Sequence, residues 1–205
     1  MNEVEHALSQ IADIHAQLTA SSRFRGFAPA AIGFNAALML GVTVAQSAWP
    51  QVLAKDPLRY VAVWGATLGA ATVVSATEAV SRSRHLHGRM ADALLGSTLR
   101  GLLPFAAAGL VIAAAVCRFA PASAWMLPGL WQILVGLAGF SVASSLPSAI
   151  RLASGWFFIC GAITFGLGAR SGALSPWMMG VPFVAGLAGV AIIFHGANGE
   201  RNVRG

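Results

Sequence analysis

Residues 119–150 read FAPASAWMLPGLWQILVGLAGFSVASSLPSAI and contain no Asp, Glu, Lys or Arg over 32 positions. A transmembrane helix needs about 20 consecutive, predominantly apolar residues. This stretch is therefore long enough for one membrane span and too short for two helices with a turn between them. Its apolar residues are continuous and do not alternate with polar ones, which argues against a strand of a membrane β-barrel.

The same kind of charge-free run recurs along the whole chain. There are six such runs, at 26–54, 60–77, 101–117, 119–150, 152–169 and 171–199. Each run holds one helix, and we place six spans near 27–48, 59–80, 101–118, 126–146, 151–169 and 177–195. The sequence thus predicts an all-α integral membrane domain over 26–196. A cytoplasmic segment at 1–25 precedes it and a short cytoplasmic tail at 197–205 follows it.

The composition excludes the other broad classes of protein. Of the 205 residues, 57% are hydrophobic and 10% are charged, whereas an ordinary soluble domain has about 25% charged residues. Such a chain cannot cover a soluble globule, and it is too apolar to be disordered. Two cysteines are too few for a disulfide scaffold. The net charge of +6 is not clustered with aromatic residues as in a nucleic-acid surface, so the expected partner is the lipid bilayer.

The positions of Arg and Lys predict the orientation in the membrane. With six spans, both termini lie on one side, and nine basic residues fall on that side against four on the other. Basic residues favour the cytoplasmic side of a membrane. Both termini are therefore expected in the cytoplasm.

The first 25 residues have the pattern of an amphipathic helix. Its apolar residues recur at helical spacing, at Val4, Ala7, Leu8, Ile11, Ile14 and Leu18. The opposite face is acidic, which argues against binding to anionic lipids. We favour a cytoplasmic helix that packs on its own bundle. The spacing of seven between Val4, Ile11 and Leu18 is the pattern of the alternative, a dimerising seam.

An internal repeat is suggested by the second and fifth spans. Five residues of the second span recur 92 positions later in the fifth, as Arg59/Arg151, Trp64/Trp156, Gly69/Gly161, Ala70/Ala162 and Thr72/Thr164. With three spans in each half, the two halves enter the membrane in opposite directions, as in the inverted repeats of many carriers. The alternative is a chance match between spans rich in Gly and Ala.

Few side chains inside the predicted spans can do chemistry. The amides of Asn35 and Gln132 lie in the first and fourth spans, where they either hydrogen-bond between helices or line a path for a polar substrate. Glu78 is the only carboxylate within the limits of a span, which makes it a functional candidate. Arg82 follows four residues later, however, and we favour an ion pair between Glu78 and Arg82.

The sequence contains no familiar catalytic, metal or cofactor motif. H-E-x-x-H and G-x-S-x-G are missing, and His195 is the only histidine in a span, so paired axial ligands for a haem are not available. His85 and His87 form an H-x-H pair with no Cys or carboxylate at a familiar ligand spacing. We therefore expect a protein that is not an enzyme and holds no metal or cofactor.

Small residues form faces along two of the spans, where helices can approach closely. In the second span these are Gly65, Gly69, Thr72 and Ala76, and in the fifth they are Gly161, Thr164 and Gly168. The faces are expected to pack helices within the bundle, between copies of the chain, or against another membrane protein.

Three segments resemble a known group of proteins. They are SRSRHLH at 81–87, WMLPGLWQ at 125–132 and LSPWMMGVPF at 174–183. In these segments the chain resembles an uncharacterised group of small six-span inner-membrane proteins of proteobacteria. The resemblance implies a six-span fold in the bacterial inner membrane, and it supplies no activity, ligand or catalytic residue.

Two functions fit these observations better than a membrane enzyme does. A non-enzymatic structural or sensory partner in the inner membrane fits the missing chemistry and the amphipathic helix. The alternative, a small-solute carrier or permease, fits the repeat and the two amides within the spans. A closed interior would favour the partner, whereas a mid-membrane cavity that reaches Asn35 and Gln132 would favour the carrier.

Overall fold

Long helices make up nearly all of the structure. The computed structural model describes the backbone of residues 29–86, 88–143 and 149–202, and the side chains of 31–78, 80–81, 96, 100–143 and 150–191. The described residues form six long helices and no strand: α1 Pro29–Ala48, α2 Pro57–Leu86, α3 Gly88–Phe119, α4 Leu127–Ser141, α5 Ala149–Ser171 and α6 Pro176–Asn202. A helical turn, Pro50–Leu53, and a 3-10 helix, Pro121–Met126, lie in the connections. The all-α prediction is confirmed for this part of the chain.

Within the described residues, five helical segments are long and apolar enough to cross a membrane. They are Ala31–Ala48, Pro57–Glu78, Arg100–Phe119, Pro121–Ser141 and Ile150–Ser171. The apolar part of α6 is shorter, Pro176–Ala191. The molecule is therefore a multi-pass helical membrane protein.

The helices α2 and α3 extend well beyond the predicted spans. The predicted spans leave 81–100 as the connection between the second and the third, but α2 runs to Leu86 and α3 begins at Gly88. The 30 residues of α2 reach about 45 Å at 1.5 Å per residue, which exceeds the roughly 30 Å hydrocarbon core of a bilayer. Charged residues end an apolar span but do not end a helix, because Arg and Leu are both good helix formers.

Local signals fix several helix ends. The first residue of α1, α2 and α6 is a proline, which has the backbone angle of a helix and lacks the N–H that would be unpaired there. At the start of α2, the Oδ1 of Asp56 accepts a hydrogen bond from the backbone N–H of Arg59 at 2.8 Å, as an N-cap does. The φ of +62° at Gly172, just after α5, is the glycine conformation that commonly ends a helix.

The six helices close into a ring. Each helix packs against the next one in the chain, and α6 also packs against α1. The contact between α4 and α5 is the most extensive, followed by that between α1 and α6. Large aromatic and sulfur-containing side chains fill the interior, among them Met39, Tyr60, Trp64, Trp131 and Met179.

The residue pairs of the predicted repeat lie in different surroundings. Trp64 is completely buried, whereas Trp156 is 42% exposed. Gly161 packs tightly against α4, whereas a Cβ at Gly69 would have no neighbour within 4 Å among the described residues. A ring of six helices permits the pairing of α2 with α5, but these side chains do not support it, and the inverted repeat stays a prediction. The expected helix in residues 1–25 lies outside the described residues.

Candidate functional site: polar residues buried between the helices

Gln132 forms a hydrogen-bonded junction between three helices. Its side chain on α4 is completely buried, and its Nε2 donates to the carbonyl oxygen of Met178 on α6 at 2.6 Å. The hydroxyl of Thr164 on α5 donates to its Oε1 at 3.4 Å. The amide therefore forms the interhelical hydrogen bonds that are the usual role of such residues in membranes.

Pro182 creates the acceptor for this amide. In an α-helix, each carbonyl accepts from the N–H four residues later, and Pro182 inside α6 has no N–H to offer Met178. A backbone carbonyl without a partner is costly inside a membrane, where no water replaces the missing donor. Gln132 supplies the donor from the neighbouring helix. Gln132 and Pro182 thus act together as one structural unit.

Asn35 and Gln132 have different hydrogen-bond partners. Its Nδ2 donates to the hydroxyl oxygen of Ser75 at 2.8 Å, which links α1 to α2. Its Oδ1 is buried and has no hydrogen-bond partner among the described residues. Within that part of the chain, no hydrogen bond joins Asn35 to Gln132. The two amides are used at different helix contacts.

Glu78 lies on α2, three residues beyond Ser75, and is half-buried. The side chains of Arg82, His85 and His87 lie outside the described ones. The ion pair between Glu78 and Arg82 therefore stays a prediction. The expectation that His85 and His87 bind no metal also stays a prediction. An ion pair that the structure does describe joins Arg59 to Asp56 at 3.6 Å.

A third buried amide, Gln46, was missed in the sequence. It is completely buried near the end of α1, and its Nε2 donates to the carbonyl of Leu53 at 3.1 Å. Its Oε1 has no partner among the described residues. The signal for Gln46 was its position eleven residues after Asn35, because eleven residues complete about three helical turns and place both amides on one face.

Small residues form the contact between α4 and α5. A Cβ on Gly161 would lie 2.8 Å from the carbonyl oxygen of Gly129, and a Cβ on Gly136 would lie 2.8 Å from that of Ser154. Both distances are far shorter than a normal carbon–oxygen contact, so only glycine fits. This is the use expected for Gly161 in the sequence. The corresponding face at Gly69 is open in the described chain.

An apolar groove of about 200 Å³ lies between α1 and α6. Its lining includes Leu40, Thr43 and Gly180, and neither Asn35 nor Gln132 belongs to it. A Cβ on Gly180 would overlap the side chain of Thr43. The two helices therefore approach each other closely where these residues line the groove. The groove does not provide a path to either predicted amide.

Compared with protein-family models, curated proteins and solved structures, the chain has no match in any of the three. Its class therefore rests on the fold, which is that of a multi-pass helical membrane protein with buried amides between its helices.

Proposed function

We propose that the chain is a non-enzymatic, six-span protein of the bacterial inner membrane that acts as a structural or sensory partner. In this proposal it associates with a second copy of itself through the outer face of α2. The observation that carries the proposal is the uncovered face of small residues on that helix.

The exposed residues in the membrane part of α2 are all small or medium in size. Between 62 and 77 they are Ala62, Ala66, Gly69, Ala70, Thr72, Val73 and Thr77. Membrane helices associate where small residues allow their backbones to approach, because lipid offers no hydrophobic driving force between helices. Among the described residues, the neighbours of α2 leave this face open, so a second helix fits against it.

The outer face of α5 is bulkier. Besides the small Ala162 and Gly166, it exposes Phe158, Ile159, Ile163 and Leu167, each by 42% or more. Such bulky aliphatic and aromatic side chains suit contact with lipid tails. The contrast supports α2, and not α5, as the face for a partner helix.

The interior supports a structural protein over a carrier. Both ends of the Gln132 amide are hydrogen-bonded to neighbouring helices, and the amino group of Asn35 is bonded to Ser75. Polar groups used in this way hold helices together and are not free to bind a solute.

A sixth span and cytoplasmic termini complete the proposal. The 27 residues of α6 reach about 40 Å at 1.5 Å per residue, which is enough to cross a bilayer. The excess of basic residues near the termini and in 81–100 supports their cytoplasmic location. Cysteines placed at 50–58 should react with an impermeant thiol reagent from the periplasm, and reaction of the 81–100 segment from that side would reverse the orientation.

Disulfide cross-linking in membranes tests the association. The background is a full-length variant in which both free cysteines, Cys117 and Cys160, are changed to alanine. Ala66→Cys should then form a dimer on mild oxidation, because position 66 lies on the exposed face of α2. Ala162→Cys, which is equally small and also exposed, is the matched control on α5. Equal cross-linking at both positions, or none at position 66, would rule out this interface.

A small-solute carrier, built on the predicted inverted repeat, is the second candidate. It is favoured by two buried acceptors, Asn35 Oδ1 and Gln46 Oε1, that have no partner among the described residues. A carrier must open this region to water, so Ser75→Cys would react with small water-soluble thiol reagents in sealed vesicles. Protection of Ser75→Cys from these reagents supports the structural protein instead.

A further inference from the structure

Two neighbouring helices each bury a polar atom that has no partner in the described chain. Gln46 on α1 and Trp64 on α2 are both completely buried. The Oε1 of Gln46 is an acceptor without a donor, and the Nε1 of Trp64 is a donor without an acceptor. A buried polar group without a hydrogen bond costs free energy, and more so in a membrane than in a soluble protein.

The register of α1 and α2 places these two side chains at the same level. The hydrogen bond from Asn35 to Ser75 fixes one point of contact. Gln46 lies eleven residues after Asn35, and Trp64 lies eleven residues before Ser75. Eleven residues are about three helical turns, or about 16 Å. Because α1 and α2 are antiparallel, Gln46 and Trp64 therefore lie at the same depth, each on the side of its helix that faces the other helix.

Tyr60 adds a third polar group to this place. It lies one helical turn before Trp64 on α2, so its hydroxyl lies near the indole, and Trp64 Nε1 has no hydrogen-bond partner among the described residues. The hydroxyl donates its proton to the carbonyl of Ser175 at 3.1 Å. Its oxygen therefore keeps the capacity to accept a hydrogen bond.

We propose that one buried water molecule binds here, accepts a hydrogen bond from Trp64 Nε1, and donates to Gln46 Oε1 and the hydroxyl oxygen of Tyr60. One donor and two acceptors match the about three hydrogen bonds that a buried water typically makes. The Gln46 and Tyr60 side chains are anchored by their bonds to Leu53 and Ser175. The water thus links α1 to α2 at one end of the bundle, and Tyr60 links both to the connection before α6.

Indole N–H resonances test the site in the full chain. The protein, labelled with ¹⁵N at its tryptophan indoles and reconstituted in nanodiscs, contains six tryptophans. The resonance that disappears in Trp64→Phe identifies Trp64. It should show a magnetisation-transfer cross-peak to a long-lived water in the otherwise unaltered protein. The indole of Trp131, which donates to the carbonyl of Gly109 at 3.1 Å, serves as the internal control and should show none.

Replacing Gln46, the acceptor, then distinguishes a bridging water from a direct hydrogen bond between Trp64 and Tyr60. Gln46→Met keeps the length of the side chain and should shift the Trp64 resonance and weaken its water cross-peak. Gln132→Met should leave both unchanged. Lack of a water cross-peak at Trp64, or a resonance that is insensitive to Gln46→Met, would overturn the proposal. A Trp64 resonance that responds only to Tyr60→Phe would indicate a direct bond to Tyr60 and would also overturn it.

Unfolding equilibria give an independent readout. Gln46→Met and Trp64→Phe remove two partners of one water, so their combined effect on the unfolding constant should differ from the product of the single effects by about threefold or more. Gln46→Met combined with Trp131→Phe should show no such coupling. Independent effects in the first pair would contradict a shared water.

Discussion

Helices α2 and α5 carry Arg, Trp, Gly, Ala and Thr at the same spacing, but they direct these residues in opposite ways. In α5, Gly161 and Thr164 point into the bundle and Trp156 is half-exposed. In α2, Trp64 is completely buried, whereas Gly69 is exposed. A shared pattern therefore specifies which residues occupy one face of a helix, and it does not specify what that face contacts.

The neighbouring helix explains the difference. The small face of α5 meets Gly129 and Gly136 on α4, so that two backbones come into direct contact. Helix α1 presents Asn35, Met39 and Gln46 among its buried residues, and these side chains are too large for such an approach to α2. In a membrane, where shape and hydrogen bonds decide helix contacts, a glycine face needs a matching face to be buried.

The largest expected difference in stability is between variants of Trp64 and Trp156. Trp64→Ala would leave a cavity in the interior of the bundle and should lower the free energy of unfolding by about 4 kcal/mol. Trp156→Ala, at the 42% exposed position, removes the hydrogen bond from Nε1 to the carbonyl of Pro182 but should still cost less, because lipid fills the space. Denaturant titrations of the purified variants in detergent micelles measure both. Equal losses would mean that the two tryptophans have the same surroundings after all.

The next comparison concerns the paired glycines. Gly161→Leu should separate α4 from α5, since even a Cβ would lie 2.7 Å from Ile133 Cγ1, and we expect a loss on the order of 3 kcal/mol. Gly69→Leu has open space around it and should change the stability of one chain by less than about 0.5 kcal/mol. The same denaturant titration, performed at low protein concentration, compares the two. A large loss in Gly69→Leu under those conditions would show that α2 packs its glycine face within the bundle.

The sequence predicted the helices and the membrane class well, because both depend on local composition. Charge-free runs of sufficient length identify apolar helices wherever they occur, and prolines such as Pro57 mark where helices begin. The same charges end the predicted span near 80, whereas the helix α2 continues through Ser81 to Leu86. An apolar run ends at a charged residue, but only Gly, Pro or a cap residue terminates a helix locally.

The contacts between helices were predicted less well. Asn35 and Gln132 were correctly placed within their helices, but the partner of Gln132 depends on Pro182, fifty residues away in the sequence. Each residue is visible in the sequence by itself, and only the packing of α4 against α6 brings them together. Gln46 was overlooked because it lies close to the end of α1, where an exposed polar residue is ordinary.

The junction at Gln132 can be tested by removing and restoring one hydrogen bond. Gln132→Leu should cost about 1–2 kcal/mol, because it leaves the carbonyl of Met178 without a donor. Pro182→Ala returns a backbone N–H to that carbonyl, so the double variant Gln132→Leu/Pro182→Ala should recover part of the loss. Pro104→Ala, which also replaces a proline inside a helix, is the control and should not restore stability. A recovery that is equal with both alanines would reflect helix propensity and not the carbonyl of Met178.

The smallest expected effect concerns the paired threonines. Thr164→Val removes the hydroxyl that donates to Gln132 at 3.4 Å, a long hydrogen bond, and should cost about 0.6 kcal/mol. Thr72→Val should change stability very little, because that hydroxyl is exposed and, among the described residues, bonds to Leu68 of its own helix. The decisive measurement is a double-mutant cycle with Gln132→Leu. If Thr164 acts through the amide, Thr164→Val should cost nothing once Gln132 is leucine. A cost that persists in the leucine background would mean that Thr164 stabilises α5 by its own packing. The difference between α5 and α2 would then be one of side-chain packing and not of hydrogen bonding.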